Sequence, residues 1–242
     1  MSSSSIAIIP PQRPIAIVAI IFPGMDQIDL TGPFAVLARL PNSSIRLVWK
    51  DREPIRDHLG LGLLPDATLA ETGPVDLLLV PGGPGQEQLM EDEEVLAFLR
   101  DMGESATCVY SVCTGSMICG AAGMLKGKSA TTHWTALRLL KYFGATPSTD
   151  RVVIDGKYVS AAGLTSGIDG ALRVAALLRG EEVAQSIQLA IQYAPDPPYA
   201  CGEPEIAPPE ILANVLTQTS ELTARREATA QRIGAKLGIA VS

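Results

Sequence analysis

Residues 109–123, VYSVCTGSMICGAAG, contain the pattern that decides the fold, because an apolar run passes directly into a segment of small residues. The run up to Val112 is typical of a strand buried on both faces, which favours a parallel sheet. The segment after Cys113 is typical of the start of a closely packed helix. Cys113 therefore lies at a sharp turn from strand to helix, which resembles the nucleophile elbow of hydrolases, although the GxSxG pattern is absent.

The same order of strand and helix recurs along the rest of the chain. Apolar runs predict strands at residues 15–22, 44–50, 75–80 and 106–112. The first predicted helix begins near Thr31, with Pro33 in its first turn. Further helices are predicted at 92–102, after Cys113, and at 134–143, 168–179 and 181–194. A β excursion at 60–64, a short strand at 129–132 and a hairpin turning at Asp155-Gly156 complete the pattern. Strands that alternate with helices predict an α/β fold, a three-layer sandwich around a mostly parallel sheet.

Three segments are distinguished by composition. Residues 1–14 are rich in serine and proline and are interpreted as a flexible N-terminal lead. Residues 15–208 form the predicted α/β domain, which ends in a proline-rich extended segment. Residues 209–242 are interpreted as a C-terminal helical extension, with a helix over 211–237, packed on the domain or on the partner of a dimer.

Charge and hydropathy narrow the class of protein. The net charge is −7, with 26 acidic and 19 basic residues, and this disfavours nucleic-acid binding driven by phosphate neutralisation. The longest apolar run, residues 15–22, is much shorter than the ~20 residues that a membrane span needs. The N-terminus lacks a signal-peptide pattern. We therefore expect a cytoplasmic protein without nucleic-acid or membrane partners.

Four cysteines are present, and their spacing predicts free thiols. Cys108, Cys113, Cys119 and Cys201 form no CxxC pair of the zinc or redox type, and no cluster of histidine and carboxylate residues predicts a metal site. Cys108 and Cys119 are interpreted as small packing residues. Cys113 has the same structural interpretation as an alternative, but its place before a helix N-terminus would stabilise a thiolate.

A carboxylate and a glycine turn each follow a predicted strand. Because parallel strands end at the same edge of the sheet, both are expected near Cys113. Asp29 lies in an apolar neighbourhood after the first strand, where it is either a helix N-cap or a general acid and base beside a thiol. Gly82 and Gly83 lie in a turn that permits close approach of the backbone. The amides of Gly83 and Thr114 are candidates for binding negative charge that develops on a substrate.

The two histidines are interpreted as structural residues. His58 lies in a predicted loop and His133 at a junction between strand and helix. Residue 114, directly after the candidate nucleophile, is threonine. The sequence therefore disfavours a Cys-His hydrolase.

Four segments together resemble the DJ-1/PfpI superfamily over residues 15–208. They are FPGMDQIDLTGP at 22–33, LLLVPGGPG at 77–85, SVCTGSMICGAAGMLKGKSATTHW at 111–134 and GLTSGIDGALRVAALLRG at 163–180. An aspartate at position 29, SVCTGS followed by GKSATTHW, and IQLAIQYAPDPPY at 187–199 make the chain most similar to the isocyanide hydratase branch. The resemblance implies a flavodoxin-like sandwich and a homodimer.

The resemblance also implies a site and a reaction. Cys113 matches the reactive cysteine and Asp29 its acidic partner, while Thr114 and the Gly82-Gly83 turn match the substrate-binding positions. The implied reaction is hydration of an isocyanide to an N-substituted formamide through a cysteine thioimidate, with no metal or organic cofactor. One departure is the segment Ser160–Leu164, SAAGL, where the family pattern is richer in glycine, and it puts the shape of the pocket in question.

Other functions within the superfamily remain open. A glyoxalase or deglycase acting on reactive carbonyls would more naturally pair the cysteine with glutamate and histidine. A redox sensor or chaperone would use an oxidisable cysteine without turnover. A regulator of the AraC type is disfavoured, because the 34 residues after Pro208 are too few for its DNA-binding helices.

Overall fold

A seven-stranded sheet organises the computed structural model, which describes residues 6–240. The strands are β1 (Ile15–Ile20), β2 (Ser43–Trp49), β5 (Ala67–Thr68), β6 (Leu77–Val80), β7 (Cys108–Val112), β10 (Val152–Asp155) and β11 (Tyr158–Ala161). Their order across the sheet is β10-β11-β7-β6-β1-β2-β5, and β10 alone of these pairs antiparallel to its neighbour. The mostly parallel sheet predicted from the alternating pattern is confirmed.

Helices cover both faces of this sheet, which explains why its central strands are continuous apolar runs. The helices are α1 (Ile28–Leu37), α2 (Gln86–Leu89), α3 (Glu93–Ser105), α4 (Gly115–Ala121), a 3₁₀ helix (Trp134–Phe143), α5 (Ser166–Arg179), α6 (Glu181–Ala190) and α7 (Pro209–Lys236). Two small two-stranded pairs lie outside the main sheet: β3 (Ile55–Arg56) with β4 (Gly62–Leu63), and β8 (Ser129–Ala130) with β9 (Thr146–Pro147). The flavodoxin-like α/β sandwich is therefore confirmed.

Three predicted helix boundaries are wrong. The first helix begins at Ile28 rather than near Thr31, so that Pro33 lies inside α1 and not in its first turn. The Asp26 carboxylate accepts a hydrogen bond from Ile28 N at 3.3 Å, and this Asx turn leads into the helix earlier than the proline pattern indicates. Helix α3 ends at Ser105 instead of residue 102, and α6 ends at Ala190 instead of Ala194, before the proline-rich segment.

The predicted flexible lead is partly corrected. Ile9 is only 4% exposed, and its amide donates to the carbonyl of Leu178 at 2.9 Å. The buried Arg179 guanidinium donates to the carbonyls of Ile9, Pro10 and Arg13 at 2.6–2.8 Å. These bonds fix residues 9–13 against the domain, because an unpaired guanidinium and unpaired carbonyls would be costly to bury. The start of the lead, residues 1–5, lies outside the described residues.

Helix α7 packs along the 3₁₀ helix of the same chain. Its first half is largely exposed, whereas Arg226, Ala230 and Ile233 are buried on one face of its second half. The spacing of these three residues is that of a single helical stripe. Packing on the domain brings this stripe to the carboxyl edge of the sheet. The boundary between the α/β domain and the C-terminal extension at residue 208 stays a prediction.

No helix among residues 6–240 is both long enough and apolar enough to cross a membrane.

Candidate active site

Cys113 occupies the turn between β7 and α4 in a conformation that side chains rarely adopt. Its φ is 55°, in the left-handed region, which costs on the order of 1–3 kcal/mol for a residue other than glycine. Hydrogen bonds on both sides hold it there, since its amide donates to Ala161 O at 3.0 Å and its carbonyl accepts from Thr132 Oγ1 at 2.8 Å. The elbow inferred from the sequence is thus a strained turn that is clamped by neighbouring segments.

Gly82 and Gly83 lie against this elbow, and both positions require glycine. A Cβ atom on Gly82 would lie 2.6 Å from Thr114 N, and one on Gly83 would lie 2.2 Å from Asp26 N. Gly83 also has a φ of 123°. The turn after β6 therefore approaches both the elbow and the start of α1, which joins the ends of three adjacent strands, β1, β6 and β7.

Asp29 is fully buried in the first turn of helix α1 and faces the Gly82-Gly83 turn. Its Oδ2 accepts from Gly82 N at 3.0 Å, and its Oδ1 has no well-aligned hydrogen bond within the described residues. The alternative role as a helix N-cap is wrong, because Gln27 occupies that position. Burial and then the charge of Asp26 raise the pKa of Asp29 to about 7, against smaller lowering effects of the Gly82 amide and the nearby Cys113 thiol.

The Cys113 thiol, 5% exposed at the residue level, is strongly influenced by the same environment. Burial and then the Asp29 charge raise its pKa well above the ordinary value, while the Thr114 amide, Arg226 and the Thr114 hydroxyl lower it. Two negative charges are unfavourable in this buried space, so above a pH of about 7 the pair is expected to hold one proton between its two members. Addition to an electrophile requires a nucleophile and a proton donor, and this pair can supply both the thiolate and the proton.

Cys108 and Cys119 differ from Cys113 although all three are buried and free. Burial raises the pKa of each of these two thiols to about 12, and within residues 6–240 no cation or hydroxyl opposes the shift. Their interpretation as packing residues agrees with this environment.

Thr114 links the elbow to the glycine turn. Its hydroxyl accepts from Gly83 N at 3.2 Å, and its amide and hydroxyl both face the thiol. The Gly83 amide, which the sequence suggested as a binder of developing charge, is thus already engaged by Thr114, as the Gly82 amide is by Asp29. In this structure the two glycines hold the reactive side chains in place, and direct contact with substrate stays a prediction.

Arg226 of α7 was missed by the sequence analysis. Its side chain is buried at the glycine turn, and Nη2 donates to Gly83 O at 2.9 Å and to Thr114 Oγ1 at 3.4 Å. In the sequence it is one of many charged residues of a mixed helix. The only available signal was its place in the stripe with Ala230 and Ile233, an unusual position for an arginine.

A cavity of about 560 Å³ lies one residue away from the elbow, since Thr132 separates it from Cys113, and neither Cys113 nor Asp29 lines it. Its walls include Thr132, which bonds the Cys113 carbonyl, and also Thr131, His133, Trp134, Leu137, Ala162, Gly163, Leu164 and Pro204. The SAAGL departure therefore forms part of this wall, and Leu164 has a φ of 32°.

His133 is uncharged at neutral pH. Burial, then the Arg226 charge, lower the pKa of His133 to about 4, so that its imidazole is neutral. Within the described residues, no group of histidine, cysteine and carboxylate side chains is arranged to hold a metal.

Comparisons with known proteins agree with this architecture. The model of the DJ-1/PfpI family matches residues 15–177, a range that ends before Arg226. An isonitrile hydratase of Pseudomonas putida is 44% identical over 220 residues, which cover 91% of this chain and 96% of the relative. A glutathione-independent glyoxalase of Caenorhabditis elegans is 26% identical over 137 residues, covering 56% of this chain and 73% of the relative.

A solved structure extends the likeness to the whole fold. The crystal structure of a ThiJ/PfpI family protein from Pseudomonas syringae has a TM-score of 0.89 and 37% identity, and the match covers 91% of this chain and 92% of that one. The family match, the relatives and the elbow geometry lead to one conclusion: the chain belongs to the DJ-1/PfpI family.

Proposed function

We propose that this protein is an isocyanide hydratase, a cysteine-dependent lyase that converts an isocyanide and water into an N-substituted formamide. The observation that carries the proposal is the buried pair of Asp29 and Cys113, with its raised carboxyl pKa of about 7. The isonitrile hydratase of Pseudomonas putida, which matches nearly the full length, supports the choice of substrate.

The first step forms a bond between Sγ of Cys113 and the terminal carbon of the isocyanide. One proton is on the Asp29–Cys113 pair, and it is delivered by Asp29 to the same carbon as the sulfur attacks. The carbon–nitrogen triple bond becomes a double bond. The product is a thioimidate, with its carbon bonded to hydrogen, nitrogen and sulfur, and Asp29 is left as a carboxylate.

The second step consumes one water molecule. Asp29 takes a proton from the water as the oxygen attacks the thioimidate carbon, and this proton passes to the nitrogen. Collapse of the tetrahedral adduct breaks the carbon–sulfur bond and expels the Cys113 thiolate, while the hydroxyl proton returns to the pair. The formamide leaves, and the pair again holds one proton, so the cycle needs no oxidant or reductant.

The surroundings of Cys113 suit the charge changes of these steps. The Thr114 amide and hydroxyl face the sulfur and stabilise its anionic form when the adduct collapses. Gly82 N holds Oδ2 of Asp29, which leaves Oδ1 without a well-aligned partner and available for proton transfer. The cavity of about 560 Å³ beyond Thr132 is large enough for the organic substituent of a small substrate, and we propose that the substituent extends from the elbow toward it.

Turnover of a simple alkyl or aryl isocyanide tests the proposal, with formamide formation followed by absorbance. We expect turnover by the unmodified protein and a loss on the order of 10³-fold or more in Cys113→Ala. Cys108→Ala is the matched control, because it removes a buried thiol from the same strand without touching the elbow. No turnover by the unmodified protein, or equal turnover by Cys113→Ala, would contradict the proposal, and turnover of methylglyoxal alone would support a glyoxalase instead.

We also propose that the protein acts as a cytoplasmic homodimer, on the basis of the resemblance to the family and of the composition.

A further inference from the structure

Arg226 is a buried cation without a carboxylate partner among the described residues. The residue is 6% exposed, and its Nε has no acceptor there. Glu87 of α2 lies nearby, but it bonds Arg225 at 3.2 Å and Thr229 at 3.3 Å. A buried charge is costly unless it is hydrogen-bonded and an opposite charge offsets it, so negative charge near the guanidinium stabilises Arg226.

The ionised form of Cys113 supplies negative charge beside Arg226. Among the interactions that affect the guanidinium after burial itself, that with Cys113 is the largest, ahead of Glu87 and of the repulsion from Arg225. The other titratable group beside it, His133, is neutral near pH 7 because its pKa lies at about 4. The interaction is mutual, since the Arg226 charge also lowers the pKa of the Cys113 thiol.

Hydrogen bonds at Gly83 O compete for the Thr114 hydroxyl proton. This carbonyl accepts from Arg226 Nη2 at 2.9 Å and from Gln86 N at 3.2 Å, which uses both of its lone pairs. The Thr114 hydroxyl donates to the same oxygen only at 3.4 Å, the longest of the three bonds. Its own oxygen accepts from Gly83 N and from Arg226, and the competition at Gly83 O favours donation of its hydrogen to the Cys113 sulfur.

We propose that Arg226 is a positioning residue of this active site, which directs the Thr114 hydroxyl toward Cys113 Sγ and offsets the negative charge that develops on this sulfur. The role rests on the proposed function and deepens it. It makes the second half of α7 part of the reactive machinery, since this helix delivers the guanidinium from outside the α/β domain predicted for residues 15–208.

The test measures the reactivity of the thiol without any isocyanide. The full-length protein is alkylated with iodoacetamide over a range of pH, and the modification of Cys113 is followed by peptide mass mapping. We expect Arg226→Met to move the alkylation profile upward by at least about one pH unit, which is a tenfold lower thiolate fraction at a given pH. Arg232→Met is the matched control, because Arg232 lies on the same helix but bonds Glu91 at the surface, and its profile is expected to stay unchanged.

A lysine variant separates charge from geometry. Arg226→Lys keeps the positive charge but lacks the planar fork that reaches both Gly83 O and Thr114 Oγ1. We expect its alkylation profile to stay near that of the unmodified protein, while kcat/KM for an isocyanide falls about tenfold. Because Arg226 acts through the Thr114 hydroxyl, the same lysine change is expected to cause little further loss in a Thr114→Val background.

Three results would overturn the role. They are a folded Arg226→Met protein whose Cys113 profile coincides with that of the unmodified chain, an equal shift in Arg232→Met, and fully additive losses in the double variant. If Arg226→Met does not fold, the lysine and double variants still decide the matter. Failure of the proposed function is distinguishable, because it would appear as absent isocyanide turnover with the alkylation shift intact.

Discussion

The two edges of the parallel sheet both contain buried charges, but they satisfy them differently. At the amino edge, Asp76 accepts from Ala16 N at 2.9 Å and pairs with Arg13. Arg179 at that edge donates to four carbonyls, the fourth being Pro41 O at 2.9 Å. At the carboxyl edge, Asp29 has one oxygen without a well-aligned partner, and Arg226 has no carboxylate within the described residues.

This difference separates charges that stabilise the fold from charges that are available for chemistry. At the amino edge, Asp76 and Arg179 have several fixed partners, although Arg179 Nε has no acceptor among the described residues, and these bonds join the N-terminal segment to the sheet and to α5. At the carboxyl edge, burial and then the charge of Asp26 raise the pKa of Asp29 to about 7, which leaves a proton that can be transferred. The contrast predicts that equivalent substitutions at the two edges have opposite consequences.

The largest effect is expected from removing one carboxylate at each edge. Asp29→Asn keeps the shape but removes the proton carrier, so we expect kcat/KM for an isocyanide to fall about 100-fold or more. Asp76→Asn is the matched change at the amino edge, and its activity per folded molecule is expected to stay within about twofold. Steady-state kinetics on both variants measure this, and similar losses would remove the distinction between the edges.

A smaller effect, on stability alone, is expected at Arg179. Arg179→Met leaves the carbonyls of Ile9, Pro10, Arg13 and Pro41 without their donor, and we expect the free energy of unfolding to fall by about 3 kcal/mol. Denaturant titration measures this loss. Activity below the denaturation midpoint should be unchanged, because Arg179 lies at the edge opposite to the elbow. An unchanged midpoint would mean that the N-terminal segment contributes nothing to stability.

The smallest effect is a pH-dependent gain in the free energy of unfolding when Asp29 is replaced by asparagine. The native pKa of about 7 lies above the unfolded value of 3.8, so the native state binds more protons between these values. The stabilisation from this group is therefore complete below pH 3.8 and is lost as the pH rises through 7. Asp29→Asn escapes the loss, and we expect it to be more stable than the unmodified protein by roughly 2 kcal/mol at pH 8.

Thermal melts of Asp29→Asn and of the unmodified protein at several pH values test whether the variant gains stability as the pH rises. The difference in Tm between Asp29→Asn and the unmodified protein should grow from pH 5 to pH 8. Asp76→Asn should be destabilised at both pH values, since it loses the pairing with Arg13. A constant difference for Asp29→Asn across this range would contradict the raised pKa.

Much of the fold was predictable because the strands of a parallel sheet are buried on both faces. The runs at β1 and β6 are apolar throughout and β7 is apolar except for Ser111, and the rule that parallel strands end at one edge places Asp29, Gly82 and Cys113 together. The sharp turn at Cys113 was predicted because an apolar strand passes directly into a helix, and the structure adds its strained φ. Local propensity was a poorer guide to boundaries, as at Pro33, where an Asx turn at Asp26 leads into the helix earlier.

The sequence by itself determined the order of the layers and the elbow, because these depend on hydrophobic runs and on topology rules, whereas the pairing of Cys113 with Asp29 was implied by the family resemblance. Only the tertiary structure decided that the glycine amides bind Asp29 and Thr114, that residues 9–13 are held by Arg179, and that Arg226 reaches the elbow. These contacts join residues that are far apart in the chain. No local pattern encodes which long side chain fills a given buried position, since that depends on how the helices pack.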